Sequence, residues 1–145
     1  MRIASFIAIF ALTPWYGYSA TSLSGIWVLN VKKSDFGLSD PPERLIVRLQ
    51  QADTSLAIWQ LTSDSQGLHV TNQKYDLVRR SDPLTKIVRS ANRAVVLRLT
   101  APGIRITERW RVLRTGNLII TRVTSADSRK ERQRLVLEPT KSVLE

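Results

Sequence analysis

Apolar residues in this chain recur with period two, and no long stretch carries the three-to-four spacing of an amphipathic helix. Leu45, Val47 and Leu49 alternate with Arg44, Arg48 and Gln50, the pattern of a strand buried on one face. Residues 25–31 form the first apolar run, and Lys32 through Gly37 lead as a loop to Pro41-Pro42. Ala52-Asp53-Thr54 turns into a strand at 56–61, and Asp64-Ser65-Gln66-Gly67 turns into a longer one at 68–78. Arg79-Arg80-Ser81-Asp82-Pro83 breaks the pattern, which resumes at 85–90. Ala91-Asn92, Pro102-Gly103 and Thr115-Gly116-Asn117 then separate strands at 95–99, 104–114 and 118–124. A charged loop precedes the last strand, 132–138, which Pro139 ends.

The expectation is eight or nine strands, all-β. No connection is long enough for the crossover that parallel strands require, so the strands are antiparallel neighbours. A single up-and-down barrel hides the edges of such a meander by closing on itself. A two-sheet sandwich is the competing architecture, with longer Greek-key connections.

The first twenty residues change the address. Arg2 is followed by an apolar stretch from Ile3 to Leu12, then Pro14, and Gly17-Tyr18-Ser19-Ala20 offers small residues for cleavage. This reads as a signal peptide over 1–20, cut near Ser19 or Ala20, with an uncleaved anchor as the alternative. The domain is then 21–139, with a flexible tail at 140–145, exported to a periplasmic or extracellular space and no longer membrane-spanning. The chain has no Cys, which removes disulfides, thiol catalysis and cysteine–zinc sites. Roughly 125 mature residues bury enough surface to do without such staples. Lys and Arg number 22 against 12 Asp and Glu, for a formal net charge of +10, of which the leader holds one through Arg2. That charge favours an anionic partner in the envelope, or it is a solvated Arg-rich outer face.

Among titratable groups Glu108 stands out. It shares a strand face with Ile104, Ile106, Trp110 and Val112, so an acid points toward the interior and needs a partner. Arg122, on a face with Leu118 and Ile120 of the next strand, is the natural one. The pair either orients a ligand or is a structural ion pair. Trp59, Trp110 and Tyr75 either line a cavity for a small apolar or amphipathic ligand or fill the barrel. The opposite face carries Arg105, Arg109 and Arg111, which with Arg98 make a candidate anion-binding stripe. No aromatic platform or Gly-rich loop accompanies it, so specific nucleic-acid recognition is not expected. His69 is the only histidine; no metal site, cofactor or catalytic residue is expected. Asp35-Phe36-Gly37 reads as a loop with Phe36 tucked against the barrel end.

Gly25-Ile26-Trp27, then Lys33-Ser34-Asp35-Phe36-Gly37, the proline pair and Thr107-Glu108-Arg109-Trp110 together resemble a group of exported bacterial lipocalin-like (calycin-type) β-barrel proteins of uncharacterised function. The likeness runs from Leu23 to about Glu138. It implies that Gly25 and Trp27 mark the closed end of the barrel, with Trp27 lying across it and Arg132 or Arg134 packed on its ring. The reading as a whole is a non-enzymatic, monomeric barrel that binds a small ligand in its interior, or alternatively an envelope interaction module that binds an anionic partner through its basic outer face.

Overall fold

A computed structural model of the chain describes residues 22–76, 85–90 and 93–141, with backbone alone for 85–90 and 93–101. The period-two segments form β1 (Gly25–Leu29), β2 (Arg44–Gln51), β3 (Ser55–Asp64), β4 (Gly67–Asp76), β5 (Thr85–Ser90), β6 (Arg93–Ala101), β7 (Ile104–Val112), β8 (Leu118–Ala126) and β9 (Arg129–Pro139). The leader and the 142–145 end of the tail lie outside the described residues, as does the Ala91-Asn92 turn.

All nine strands join one antiparallel sheet in the order β4-β3-β2-β1-β9-β8-β7-β6-β5. Every sequential pair that is laddered follows the meander expected from the short connections. The first strand also pairs with the last: Trp27, Val28 and Leu29 oppose Pro139, Glu138 and Leu137. That is the contact by which a meander returns on itself. The sheet's edges are instead β4 and β5, and no ladder joins them among the described residues. The expected closure into a complete barrel is therefore not formed there, and the sheet is a curled, open one.

The curl is visible in what meets across the concave side. Gln60 and Thr62 of β3 line the same cavity as Ile120 and Arg122 of β8. Four strand spacings separate β3 from β8 in the sheet, which would be about 19 Å if it were flat. The inward residues stack in layers. On β7–β9 the rows Val112, Leu118, Leu137 and Trp110, Ile120, Leu135 lie one above the other, and with Trp27, Val47, Leu49, Leu56 and Ile58 they form one buried cluster. Of the two expectations for the interior, a cavity or a packed core, this part of the sheet is occupied by the packed apolar cluster.

Gly25 and Trp27 share the inward face of β1, two residues apart. The indole folds back over the glycine so closely that a Cβ on Gly25 would lie 2.7 Å from Cη2 of Trp27. The ring's Nε1 donates to the carbonyl of Gly116 at 2.9 Å, tying β1 to the β7–β8 turn. Trp27 is thus buried where β1 meets the β7–β8 turn, and its polar partner is a backbone carbonyl, not an arginine. Arg132 and Arg134 sit on the exposed, outward face of β9, opposite Val123 and Thr121, while Trp27 pairs near Pro139. Period two sends residues 133, 135 and 137 inward and 132 and 134 outward. Neither arginine can cover the indole.

β1 ends at Leu29, and the chain that follows runs along the part of β9 that β1 leaves unpaired. After a 3-10 turn at Val31–Lys33, Asp35 exchanges backbone hydrogen bonds with Arg134, both at 2.8 Å. The Ser34 hydroxyl donates to the Asn30 carbonyl at 2.7 Å and accepts from the Val136 amide at 2.9 Å. Gly37 has φ +61°, and a Cβ there would come within 2.9 Å of the Arg132 carbonyl, so glycine suits both the turn and the close approach. Phe36 packs against the core, as anticipated.

The 3-10 turn is pinned at its far side. Lys33 Nζ and Asn30 Nδ2 donate to Glu138 Oε1 at 2.8 and 2.9 Å, and these bonds hold the Glu138 carboxyl below its ordinary range. A group depressed in the folded state stabilises it above the unfolded pKa, and the contribution fades as pH falls through the folded value. Glu138→Gln should therefore flatten the acid limb of a melting-temperature profile between pH 6 and pH 3 (roughly the carboxylate range). An unchanged acid limb would show that Glu138 is not coupled to folding.

The β8–β9 connection is shorter than the sequence suggests. Ala126 pairs with Arg129, leaving a two-residue turn in which Asp127 takes φ +51°. Asp tolerates that left-handed conformation better than most residues, so the ladder continues through the polar stretch read above as a loop.

Candidate functional site

Opposite the Trp27 end the sheet is open, and polar side chains replace apolar ones on its inward face. Glu108, Arg122 and Gln133 lie directly across from one another on β7, β8 and β9, one layer above Trp110, Ile120 and Leu135. Glu108 is 2% exposed, the one buried charged residue among those described. Arg122 Nε donates to its Oε1 at 2.8 Å, and Trp110 Nε1 donates to its Oε2 at 3.3 Å. The expected pairing of Glu108 with Arg122 is present, and the Arg side chain keeps a third of its surface exposed.

The row continues to the chain segment over β9. Arg122 Nη1 donates to Gln133 Oε1 at 3.4 Å. Gln133 Nε2 donates to the Phe36 carbonyl at 3.1 Å and to Ser39 Oγ at 3.0 Å. Glu131 Oε1 accepts from the Leu38 amide at 3.2 Å and from the Ser39 hydroxyl at 3.1 Å. One hydrogen-bonded chain thus runs from the buried Trp110 to the loop that roofs the mouth. Such a network fixes each member's orientation better than isolated pairs do.

Between this row and β3 lies a cavity of about 260 Å³. Its apolar wall is Phe36, Pro42, Leu45, Ile120 and Leu135, and its polar wall is Arg122, Gln133, Gln60, Thr62, Ser39 and two acids, Asp40 and Asp64. At about 30 Å³ per water, it admits a ligand of roughly ten non-hydrogen atoms. The charge of Arg122 is matched by Glu108, and Asp40 and Asp64 add negative charge at the rim. The site therefore offers donors and acceptors without selecting a full negative charge.

Of the proposed cavity residues, Arg122 lines this space, and Glu108 and Trp110 support it from beneath. Tyr75 does not reach it. It opposes Leu56, packs partly buried against the core, and its hydroxyl donates to Gln73 Oε1. Trp59 is on the other side of the sheet. Leu56 and Ile58 turn inward, so Trp59 faces outward beside Arg48, Asn72 and Lys74 in a groove of the outer surface. Arg105, Arg109 and Arg111 are exposed on the outward face of β7. Arg98 falls out of their register: it opposes Ile106, whereas they oppose Leu99, Val95 and Arg93. Its side chain lies outside the described residues. His69 is exposed, 3.4 Å from Asp64. No group of metal-ligating side chains occurs among the described residues.

Gln133 and the roof loop were missed by the sequence reading. The signal for Gln133 was the same as for Glu108, a polar residue in phase with Leu135 and Leu137.

Fold and site together define an all-β chain with an apolar core at the Trp27 end and a polar-lined mouth. No family model matches the chain, and no curated protein matches it. Among solved structures it is similar to one described as "The Siderocalin Ex-FABP functions through dual ligand specificities", at 12% identity over 83% of this chain and 76% of that one, with a TM-score of 0.45.

Proposed function

We propose that the chain is an exported, non-enzymatic binding protein of lipocalin-like architecture that holds a small amphipathic ligand in the mouth of its curled sheet. The observation that carries this reading is Arg122. Its guanidinium is oriented by a buried carboxylate and still faces a cavity with an apolar wall opposite. A guanidinium has five N–H donors, and those beyond the bonds to Glu108 and Gln133 are available to a ligand head. The tail would lie on Phe36, Leu45 and Ile120. In this reading β4 and β5 are the seam of a barrel, the chain acts as a monomer, and export rests on the 1–20 leader.

The charge balance at the mouth sharpens the ligand. A head that both donates and accepts, such as an amide or hydroxyl, suits Arg122 together with Asp40. A carboxylate meets three acids for one arginine. Octanamide is a suitable probe, with about ten non-hydrogen atoms. At roughly 0.3–0.5 kcal/mol per atom it should bind with a Kd from about 0.2 to 6 mM. Calorimetry should find octanoate at least about five-fold weaker, and Gln133→Leu should weaken octanamide about ten-fold, because it removes the side chain that positions Arg122 and ties the roof loop to β9. Equal binding of octanoate, or octanamide binding indifferent to Gln133→Leu, would refute the reading.

A further inference from the structure

The outward face of β7, β8 and β9 has a charge pattern that the mouth site does not use. Arg105, Arg109 and Arg111 are exposed along β7, and Lys130, Arg132 and Arg134 are exposed along β9. Between them β8 presents Ser125, Val123, Thr121 and Ile119, none charged. The register sets Arg105, Ser125 and Lys130 in one row, Thr107, Val123 and Arg132 in the next, and Arg109, Thr121 and Arg134 in a third. Cations two residues apart on a strand are about 6.8 Å apart, and the two columns are about 9.5 Å apart.

Six like charges on so small an area repel one another unless something neutralises them. The ion pairs Lys33–Glu138, His69–Asp64 and Arg122–Glu108 involve none of the six. The acids of β9 are turned elsewhere. Glu131 bonds the roof loop from the inward face, and Glu138 is held by Lys33. The plate thus gathers six cations on one convex surface, with β9 as the second column where the sequence alone pointed to Arg98.

We propose that this plate docks the protein on an anionic lipid surface. The side of the sheet opposite the core curves outward, so it meets a plane and does not enclose a strand. It carries no exposed aromatic on which bases could stack, and no helix to enter a groove. Long Arg and Lys side chains on a rigid sheet reach lipid phosphates, with the Ser125 and Thr121 hydroxyls between them as further donors. Each cation near such a surface strengthens binding about five-fold, an effect that salt screens. The mouth site and the plate use opposite faces of β7–β9, so both can be occupied together.

The test is sedimentation of the full chain with vesicles of phosphatidylcholine containing 30% phosphatidylglycerol, against vesicles of phosphatidylcholine alone. Binding should require the anionic lipid and fall steeply between 50 and 500 mM salt (about a three-fold change in Debye length). R105Q, R109Q and R111Q together should weaken it about 100-fold. K32Q, R48Q and K74Q, which remove the same charge from exposed positions elsewhere, should leave most of it. Both triple variants alter exposed side chains only, and equal melting temperatures check that the fold is kept. Equal loss in the two variants, binding to phosphatidylcholine alone, or no vesicle binding would overturn the proposal. Binding to duplex DNA or heparin in place of vesicles would overturn it in favour of a soluble polyanion.

Discussion

Replacing Trp27 with alanine is expected to cost about 3–5 kcal/mol of stability, the range for deleting a buried aromatic side chain. A domain of this size has about 5–15 kcal/mol in all, so the variant should sit near the edge of folding. Two contributions are lost together. The indole fills the closed end among Leu118, Leu137 and Val112, and its Nε1 bonds the Gly116 carbonyl. Gly25→Ala should be destabilising by a different route, about 1–3 kcal/mol of overpacking, because its Cβ would lie 2.7 Å from the indole. The two residues are then one device, and their effects should not add. In a Trp27→Leu background the Gly25→Ala penalty should vanish, leaving the modest gain of replacing a strand glycine. Urea denaturation of the four proteins in this cycle measures the coupling. Strict additivity would mean that the glycine is not there for the tryptophan.

The second large effect is expected at the mouth, and it is asymmetric. Glu108 has a side chain 3% exposed, whereas Arg122 keeps 33%. Arg122→Leu leaves a carboxylate buried without its cation, a change that costs about 3–5 kcal/mol. Glu108→Gln leaves Arg122 with an amide acceptor and with access to water, so the cost should be about 1–2 kcal/mol. Replacing both with leucine should recover most of the stability lost by Arg122→Leu, since an ion pair exchanged for apolar packing is often close to neutral. Chemical denaturation at pH 7 gives the comparison. Glu108→Gln as damaging as Arg122→Leu would show that the arginine, not the acid, depends on the pair.

Period two carried most of the architecture in the sequence, because side-chain parity on a strand is rigid once one residue's face is known. Glu108 and Arg122 were legible for that reason: each sat in phase with apolar neighbours, and each strand had an unambiguous buried face. Trp59 was not, because Leu56, Ala57, Ile58, Trp59 and Leu61 are apolar on both faces and parity has nothing to choose between. Arg132 and Arg134 were assigned to Trp27 by resemblance, although their own parity with the exposed face already placed them outward. The roof loop was opaque in a different way. Ser34, Gly37 and Ser39 work through contacts to β9, more than 90 residues on, as where the Ser34 and Ser39 hydroxyls accept from the Val136 amide and from Gln133 Nε2. No local pattern announces such long-range bonding. The open seam between β4 and β5 likewise has no signature in strand periodicity, which is the same for a closed sheet and an open one.

The proposed ligand site is the mouth and not the Trp27 end, although a crevice of about 220 Å³ also borders Trp27, Gly116 and Pro139. The most direct test is a titration of ¹⁵N-labelled protein with octanamide, following the side-chain N–H resonances of Arg122, Gln133 and Trp27. Arg122 Nε–H and the Gln133 amide should shift together and saturate with one constant, while Trp27 Nε1–H stays in place. Movement of Trp27 alone, or no shift at Arg122 and Gln133 up to the solubility limit, would contradict it.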